Sequence, residues 1–201
     1  YSGYTFTKVA FDQTKLLQEV EISREYFLER YLGYTFTDES KKYFDECWKE
    51  ILGELTKKQL FPTHRDFHSK NIMIHQGRPY LIDFQDARKG LPQYDLVSYL
   101  EDAYLFFERD KKEKFKQKFY EQHELLRANQ TLEEFRFYYD HMALQRIFKA
   151  LGSFAYILHK KRDLGYLRHI GRSFEELMRI FDKFPKYSKL REILVAAYYE
   201  S

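Results

Sequence analysis

The sequence predicts a mainly α-helical chain with one small β hairpin, and three observations lead there. Apolar residues recur at helical spacing along most of the length. One stretch, from Thr63 to Asp86, breaks that period with two short β-like runs joined by a turn. No Pro/Gly-rich linker, internal repeat or low-complexity tract divides the chain, so a single domain over residues 1–201 is expected.

Residues 1–11 are polar and aromatic without a period. From Thr14 to Leu32 the apolar positions Leu16, Leu17, Val20, Phe27, Leu28 and Tyr31 define a helix that Gly33 ends. Asp38 is placed to cap a second helix running to about Gln59, with Phe44, Cys47, Trp48, Ile51 and Leu55 inward, so residues 12–60 read as helical. Pro62 stops that pattern. In 61–90, Asn71–Ile74 and Tyr80–Ile82 are read as strands joined by a turn at Gln76, Gly77 and Arg78, and Lys89–Pro92 as a loop. Residues 94–201 return to helix. Asp95 takes an N-cap position before Leu96, Val97, Leu100 and Tyr104, and the lysines of Arg109–His123 read as a solvated face. Thr131 with Glu134 forms a capping box for the longest helix, and Ser173 with Glu176 a second box before Leu177. A last helix takes in Leu190, Ile193, Leu194 and Tyr198. Gln145 and Arg146 interrupt the longest apolar stripe, which leaves pocket lining and helix pairing both open to them.

Composition narrows the function classes. The 34 basic and 31 acidic residues leave a net charge of +3, which gives no footprint for nucleic acid. No run approaches the roughly 18 apolar residues of a membrane span, and the opening residues do not read as a secretion signal. The single cysteine, Cys47, excludes an internal disulfide and fits a reducing compartment, so the cytoplasm is expected. The chain opens without Met, which reads as a piece of something longer.

Chemistry-bearing residues concentrate in Thr63–Asp86. Asn71 follows Asp66 by five positions, and Asp83 closes the second apolar run. The hairpin sets Asn71 and Asp83 at its two outer ends, with Asp66 on the loop leading in. A hard cation such as Mg²⁺ takes one or two carboxylate or amide oxygens beside water and phosphate, so Asn71 and Asp83 are the candidate ligands. Asp66 is then the group that accepts or orients a hydroxyl proton. His64 reads as a structural side chain behind the loop, while His68 has either an acceptor or solvent to face. Gln85, Asp86 and Arg88 are candidate contacts for phosphate or acceptor, and Asp95 is expected to hold the loop through backbone N–H groups. A rival reading uses the alternation of His64, Asp66 and His68 on an extended strand to bind zinc. Pro62 and the lack of a further His/Cys cluster stand against it.

The order H-R-D-x-x-x-x-N, apolar strand, D-F resembles the catalytic and metal loops of protein kinases. With Tyr94-Asp95-Leu96-Val97-Ser98 downstream, the stretch resembles the aminoglycoside phosphotransferase/choline kinase group. Gln85-Asp86-Ala87 and the later Leu144–Ile157 resemble its bacterial amino-sugar kinases, which phosphorylate N-acetylmuramate and N-acetylglucosamine at the anomeric hydroxyl in cell-wall recycling. The resemblance implies Asp66 as catalytic base, Asn71 and Asp83 as Mg²⁺ ligands, Arg65 beside His64 in the supporting loop, and Asp95 as its brace. ATP would be the co-substrate and a sugar the acceptor. The sequence departs from the pattern upstream: no Gly-rich strand-turn-strand, strand lysine or helix glutamate precedes the motif. The expected fold is therefore the C-terminal, catalytic lobe of a protein-kinase-like fold with the N-terminal nucleotide lobe absent, supplied in cis or in trans, and inactive by itself. Two alternatives stay open: a lobe acting on aminoglycosides or choline, and an inert binding module that keeps a relic site.

Overall fold

The computed structural model describes residues 10–58 and 60–200; the expectation of an aperiodic segment before Ala10 lies outside them. In chain order the elements are α1 (Gln13–Ser23), a π-helical continuation (Arg24–Tyr31), α2 (Asp38–Leu55), β1 (Phe61–Thr63), a 3-10 turn (Ser69–Asn71), β2 (Ile72–His75) and β3 (Arg78–Leu81). There follow β4 (Arg88–Gly90), α3 (Gln93–Leu100), α4 (Arg109–Gln122), α5 (Glu124–Asn129), α6 (Leu132–Lys161), α7 (Ile170–Phe181) and α8 (Ser188–Tyr199). Within the span that the sequence reading treats as one domain, two compact units can be told apart. One takes Leu55–Met142 with the described residues up to Phe11; the other takes Asp12–Glu54 and Ala143 onward.

The unit of Asp12–Glu54 and Ala143 onward is helical. Trp48, fully buried, stacks on Phe148 with ring centroids 4.9 Å apart, and Phe174 stacks on Tyr198 at 3.9 Å. The first helix is not uniformly α. Ser23 Oγ donates back to the Glu19 carbonyl at 2.8 Å, and from Arg24 the coil widens, with Leu32 N donating to Phe27 O. Gly152 of α6 lies against this junction, where a Cβ would stand 2.4 Å from Ser23 Cα. The cap of α2 is Thr37 rather than Asp38: Ser40 N donates to Thr37 Oγ1 at 3.1 Å and Thr37 N to Ser40 Oγ at 3.0 Å. Asp38 instead sits in the first turn, where the helix dipole favours an acid. The helix ends at Leu55, short of the expected Gln59. Ser173 is inside α7, not ahead of it. Gln145 is buried and donates to the buried Glu19 carboxylate at 2.9 Å, with Lys149 Nζ 3.6 Å from the other oxygen. Helix pairing, then, is where Gln145 goes.

The unit of Leu55–Met142 holds the sheet elements. β2 and β3 pair antiparallel, Ile72 opposite Leu81 and His75 opposite Arg78, so the turn is Gln76-Gly77 alone. Both residues take positive φ, 49° and 72°, the geometry of a two-residue hairpin turn whose twist matches the strands. Lys89 and Gly90 are not loop. They form β4 with Arg88, antiparallel to β1, in the register Phe61↔Gly90 and Thr63↔Arg88. These two pairings bring both ends of the Thr63–Asp86 stretch back to one place. Asp95 lies in the first turn of α3 rather than at its cap, and α3 ends at Leu100, before Tyr104. Thr131 and Glu134 do form the capping box of α6, at 2.9 and 3.2 Å. The lysines of α4 are not all solvated, since Lys112 and Lys116 are buried. Lys112 Nζ pairs with Glu101, and Lys116 Nζ sits 4.1 Å over the Tyr139 ring and 2.8 Å from Glu113.

Candidate active site

The loop between β1 and β2 is shaped by backbone bonds that a few side chains answer. Asp95 accepts from His64 N at 2.7 Å and from Arg65 N at 3.0 Å, one bond to each carboxylate oxygen. Just past the second donor the chain bends, and Arg65 takes φ 79°. His68 N then donates to Asp66 O at 3.0 Å and Asn71 N to His68 O at 2.9 Å, which coils Ser69–Asn71 into its 3-10 turn. This path is not the extended strand that a zinc site on His64, Asp66 and His68 requires. Among the described residues no group of three or more His, Cys, Asp or Glu side chains is placed to hold a metal.

Asn71 is the hub. Its Nδ2 donates to the Asp66 carbonyl at 2.9 Å and reaches Asp83 Oδ2 at 3.4 Å, while its backbone carbonyl accepts from Ile82 N at 3.0 Å. Asp83 sits just past β3 at φ 68°, a left-handed conformation that L-residues take at a cost, and Gln85 Nε2 donates to its Oδ1 at 2.5 Å. His64 Nε2 lies 3.0 Å from Ile82 O; a ring nitrogen bonded to a carbonyl carries the proton, so His64 ties the loop to the residue before Asp83. Arg65 Nη1 is 3.3 Å from Asp86 Oδ2. The His68 ring stands edge-on to Tyr104 at 5.9 Å. Arg88 turns the other way, its guanidinium 5.6 Å from the Phe11 ring centre, and its carbonyl accepts from Thr63 Oγ1 at 3.0 Å. The structure thus brings Asp66, Asn71, Asp83, Gln85 and the pair Arg65–Asp86 into one connected loop system and leads Arg88 off it.

The donor set fits a hard divalent cation. Asn71 and Asp83 are in contact, one carboxylate and one amide, and Asn71 Oδ1 accepts no bond among the described residues. Asn71 and Asp83 would hold such a cation, and the exposed Gln85 amide that now donates to Asp83 Oδ1 is their neighbour. Sequence reasoning missed Asp102. Its carboxylate accepts from Ser69 N at 2.8 Å and Tyr104 N at 2.9 Å, and no spacing pattern marks an acid that serves backbone N–H groups of a distant loop.

Residues 14–138 match the model of a phosphotransferase enzyme family, and the chain belongs to that family. Among curated relatives it is 29% identical over 183 residues to an N-acetylmuramate/N-acetylglucosamine kinase of Neisseria meningitidis, covering 85% of this chain and 55% of the relative. It is 27% identical over 187 residues to the protein of that name from Pseudomonas putida, covering 92% of this chain and 55% of the relative. The chain therefore spans about half the length of the curated relatives it matches. In fold it resembles a solved structure of a gentamicin–APH(2")-IIa complex, with TM-score 0.53 and 19% identity, over 85% of this chain and 52% of that one. The mainly helical fold with its small hairpin is kinase-like, as the sequence predicts, and spans about half of that neighbour. No helix among the described residues is long and apolar enough to cross a membrane.

Proposed function

We propose that this chain is the catalytic and acceptor-binding lobe of a cytoplasmic small-molecule kinase that transfers the γ-phosphate of ATP to a sugar hydroxyl, the acceptor being an amino sugar. One observation carries the reading: Asp66, Asn71 and Asp83 meet in one loop–hairpin unit of a chain whose relatives are named as amino-sugar kinases. In this reading Asp66 accepts or orients the proton of the attacking hydroxyl. Asn71 and Asp83 would hold Mg²⁺, which would supply positive charge against the phosphates. Asp95 and His64 keep the loop in place, and the amide of Gln85 donates to Asp83. His68 and Asp86 line the approach for acceptor or phosphate, with Arg65 holding Asp86, while Arg88, turned toward Phe11, is left out of it.

The reading also has a partner. Met73 and Ile74 of β2, Tyr80 and Leu81 of β3, and Ile82 and Phe84 beyond them are all exposed, Ile74 at 68% and Phe84 at 69%. Exposed apolar side chains gathered on one short hairpin call for a cover. In this reading a nucleotide-binding lobe elsewhere in the protein provides it, along with the cation that clamps the phosphates, and the 201 residues alone are expected to be inactive. The test is calorimetric titration of the chain with Mg·ATP, with Asp83→Asn as control, followed by turnover assays on the protein that includes the upstream lobe. The expected result is no binding by the chain alone and turnover of N-acetylmuramate or N-acetylglucosamine by the complete protein. Tight binding by the chain that Asp83→Asn abolishes would overturn the half-enzyme reading. Turnover of aminoglycosides or choline in place of amino sugars would replace the acceptor.

A further inference from the structure

The loop that carries Asn71 is held at two places, and only the first is an expectation of the sequence. Asp95, in the first turn of α3, holds His64 and Arg65. The second hold comes from the other end of the same helix. Glu101 is the C-terminal cap residue of α3, and Asp102, buried, follows it. Asp102 Oδ2 accepts from Ser69 N and Oδ1 from Tyr104 N, so one carboxylate joins the first residue of the 3-10 turn to the chain leaving α3. Asn71 is the last residue of that turn. Glu101 points elsewhere. Its side chain, 4% exposed, accepts from Tyr139 Oη of α6 at 2.7 Å and pairs with Lys112 of α4. Neighbouring acids thus do opposite jobs: Glu101 anchors the end of α3 in the helices, and Asp102 passes that fixed position to the turn.

We propose that Asp102 is a positioning residue of the candidate metal site, acting through Ser69 N–H to fix the Ser69–Asn71 turn and with it the Asn71 carboxamide against Asp83, and that Glu101, with Lys112 and Tyr139, sets where Asp102 stands. The metal part rests on the kinase reading; the positioning does not. A buried carboxylate is the suitable acceptor because two N–H groups converge on it and each takes one oxygen. An asparagine offers one oxygen and turns an amine toward the other N–H.

The experiment is residue-resolved hydrogen exchange by NMR on the protein carrying this chain, wild type against Asp102→Ala. Loss of a charge-assisted bond of this kind corresponds to at least about a tenfold fall in protection. That fall is expected at Ser69, Asn71, Ile82 and Tyr104, with the amides of α7 and α8 unchanged. Unchanged protection at Ser69 and Asn71 in a folded variant would overturn the proposal. So would a fall of equal size along the whole chain, which marks a general loss of stability. Should Asp102→Ala not fold, Ser69→Pro replaces it. It removes the one N–H at issue, and its ring suits the first position of a helical turn entered from the extended His68. In that background Asp102→Asn is expected to leave Asn71 protection unaltered; a further fall would show that Asp102 reaches Asn71 by another route and sink the idea. Paramagnetic broadening by Mn²⁺ at Asn71 and Asp83 is read in the same samples. Its absence in the wild type would count against the metal reading alone, since the exchange result does not depend on a cation.

Discussion

Arg65 and Asp83 are the two site residues with side chains that hold a left-handed backbone, at φ 79° and 68°. Each costs on the order of 1–2 kcal/mol relative to an ordinary conformation, so something must hold it there. For Arg65 the holder is Asp95, whose carboxylate takes the N–H groups of His64 and of Arg65 itself. Asp95→Ala is expected to lower unfolding free energy by about 3 kcal/mol, read from the urea midpoint at unchanged slope. A loss under about 0.5 kcal/mol would show that the loop keeps its turn without the brace. Arg65→Gly should cost less than about 1 kcal/mol, because glycine takes that φ freely, which offsets the loss of the mostly buried Arg65 side chain and of its pair with the exposed Asp86. Cys47 supplies a pH prediction. Burial, and then the nearby Glu50 carboxylate, push its thiol up to about 12 from the ordinary 9.0. The folded state thus disfavours the thiolate, and Cys47's contribution to stability is intact below about pH 9 and declines as pH rises from there toward 12. At pH 8 a disulfide reagent should label Cys47 slowly in the native protein and rapidly in urea; equal rates would contradict its burial.

Elements written in local chemistry were legible in the sequence. The Thr131/Glu134 box, the β2–β3 pairing and the period of α6 each depend on residues within a few positions of one another. Elements that depend on distant partners were not. The switch from α1 to π-helix occurs where Ser23 meets Gly152, and β4 exists because β1 lies beside it. Lys112 and Lys116 read as solvated because a charge pattern does not reveal that Glu101 and the Tyr139 ring wait on neighbouring helices. The site divides in the same way. Asp66, Asn71 and Asp83 stand in a spaced motif, whereas Asp102 serves a backbone donor and leaves no pattern. The α1–α6 approach carries the prediction at this scale. Gly152→Ala places a Cβ 2.2 Å from Ser23 Oγ and 2.4 Å from Ser23 Cα, so a helix must move. The cost is expected at about 1–3 kcal/mol by chemical denaturation. Ser23→Gly should not restore it, since the clash with the backbone of residue 23 remains; full rescue would mean the side chain alone was in the way.

The exposed apolar side chains of the β2–β3 hairpin have their consequence in the behaviour of the chain as a whole. With Met73, Ile74, Tyr80 and Phe84 exposed, the isolated chain is expected to associate with itself as concentration rises, and Ile74→Glu to weaken that association. Sedimentation velocity reads this directly, and a wild-type chain that stays monomeric at high concentration would mean the hairpin needs no cover. The stack of Trp48 on Phe148 has another use. Trp48 is the sole tryptophan of the chain, fully buried in the unit of α2 and the later part of α6. Its emission is therefore a built-in optical reporter for that unit and silent about the loop, hairpin and α3–α5. Urea curves followed by tryptophan fluorescence and by hairpin NMR signals would coincide for one cooperative transition and separate if the unit of Leu55–Met142 melts on its own.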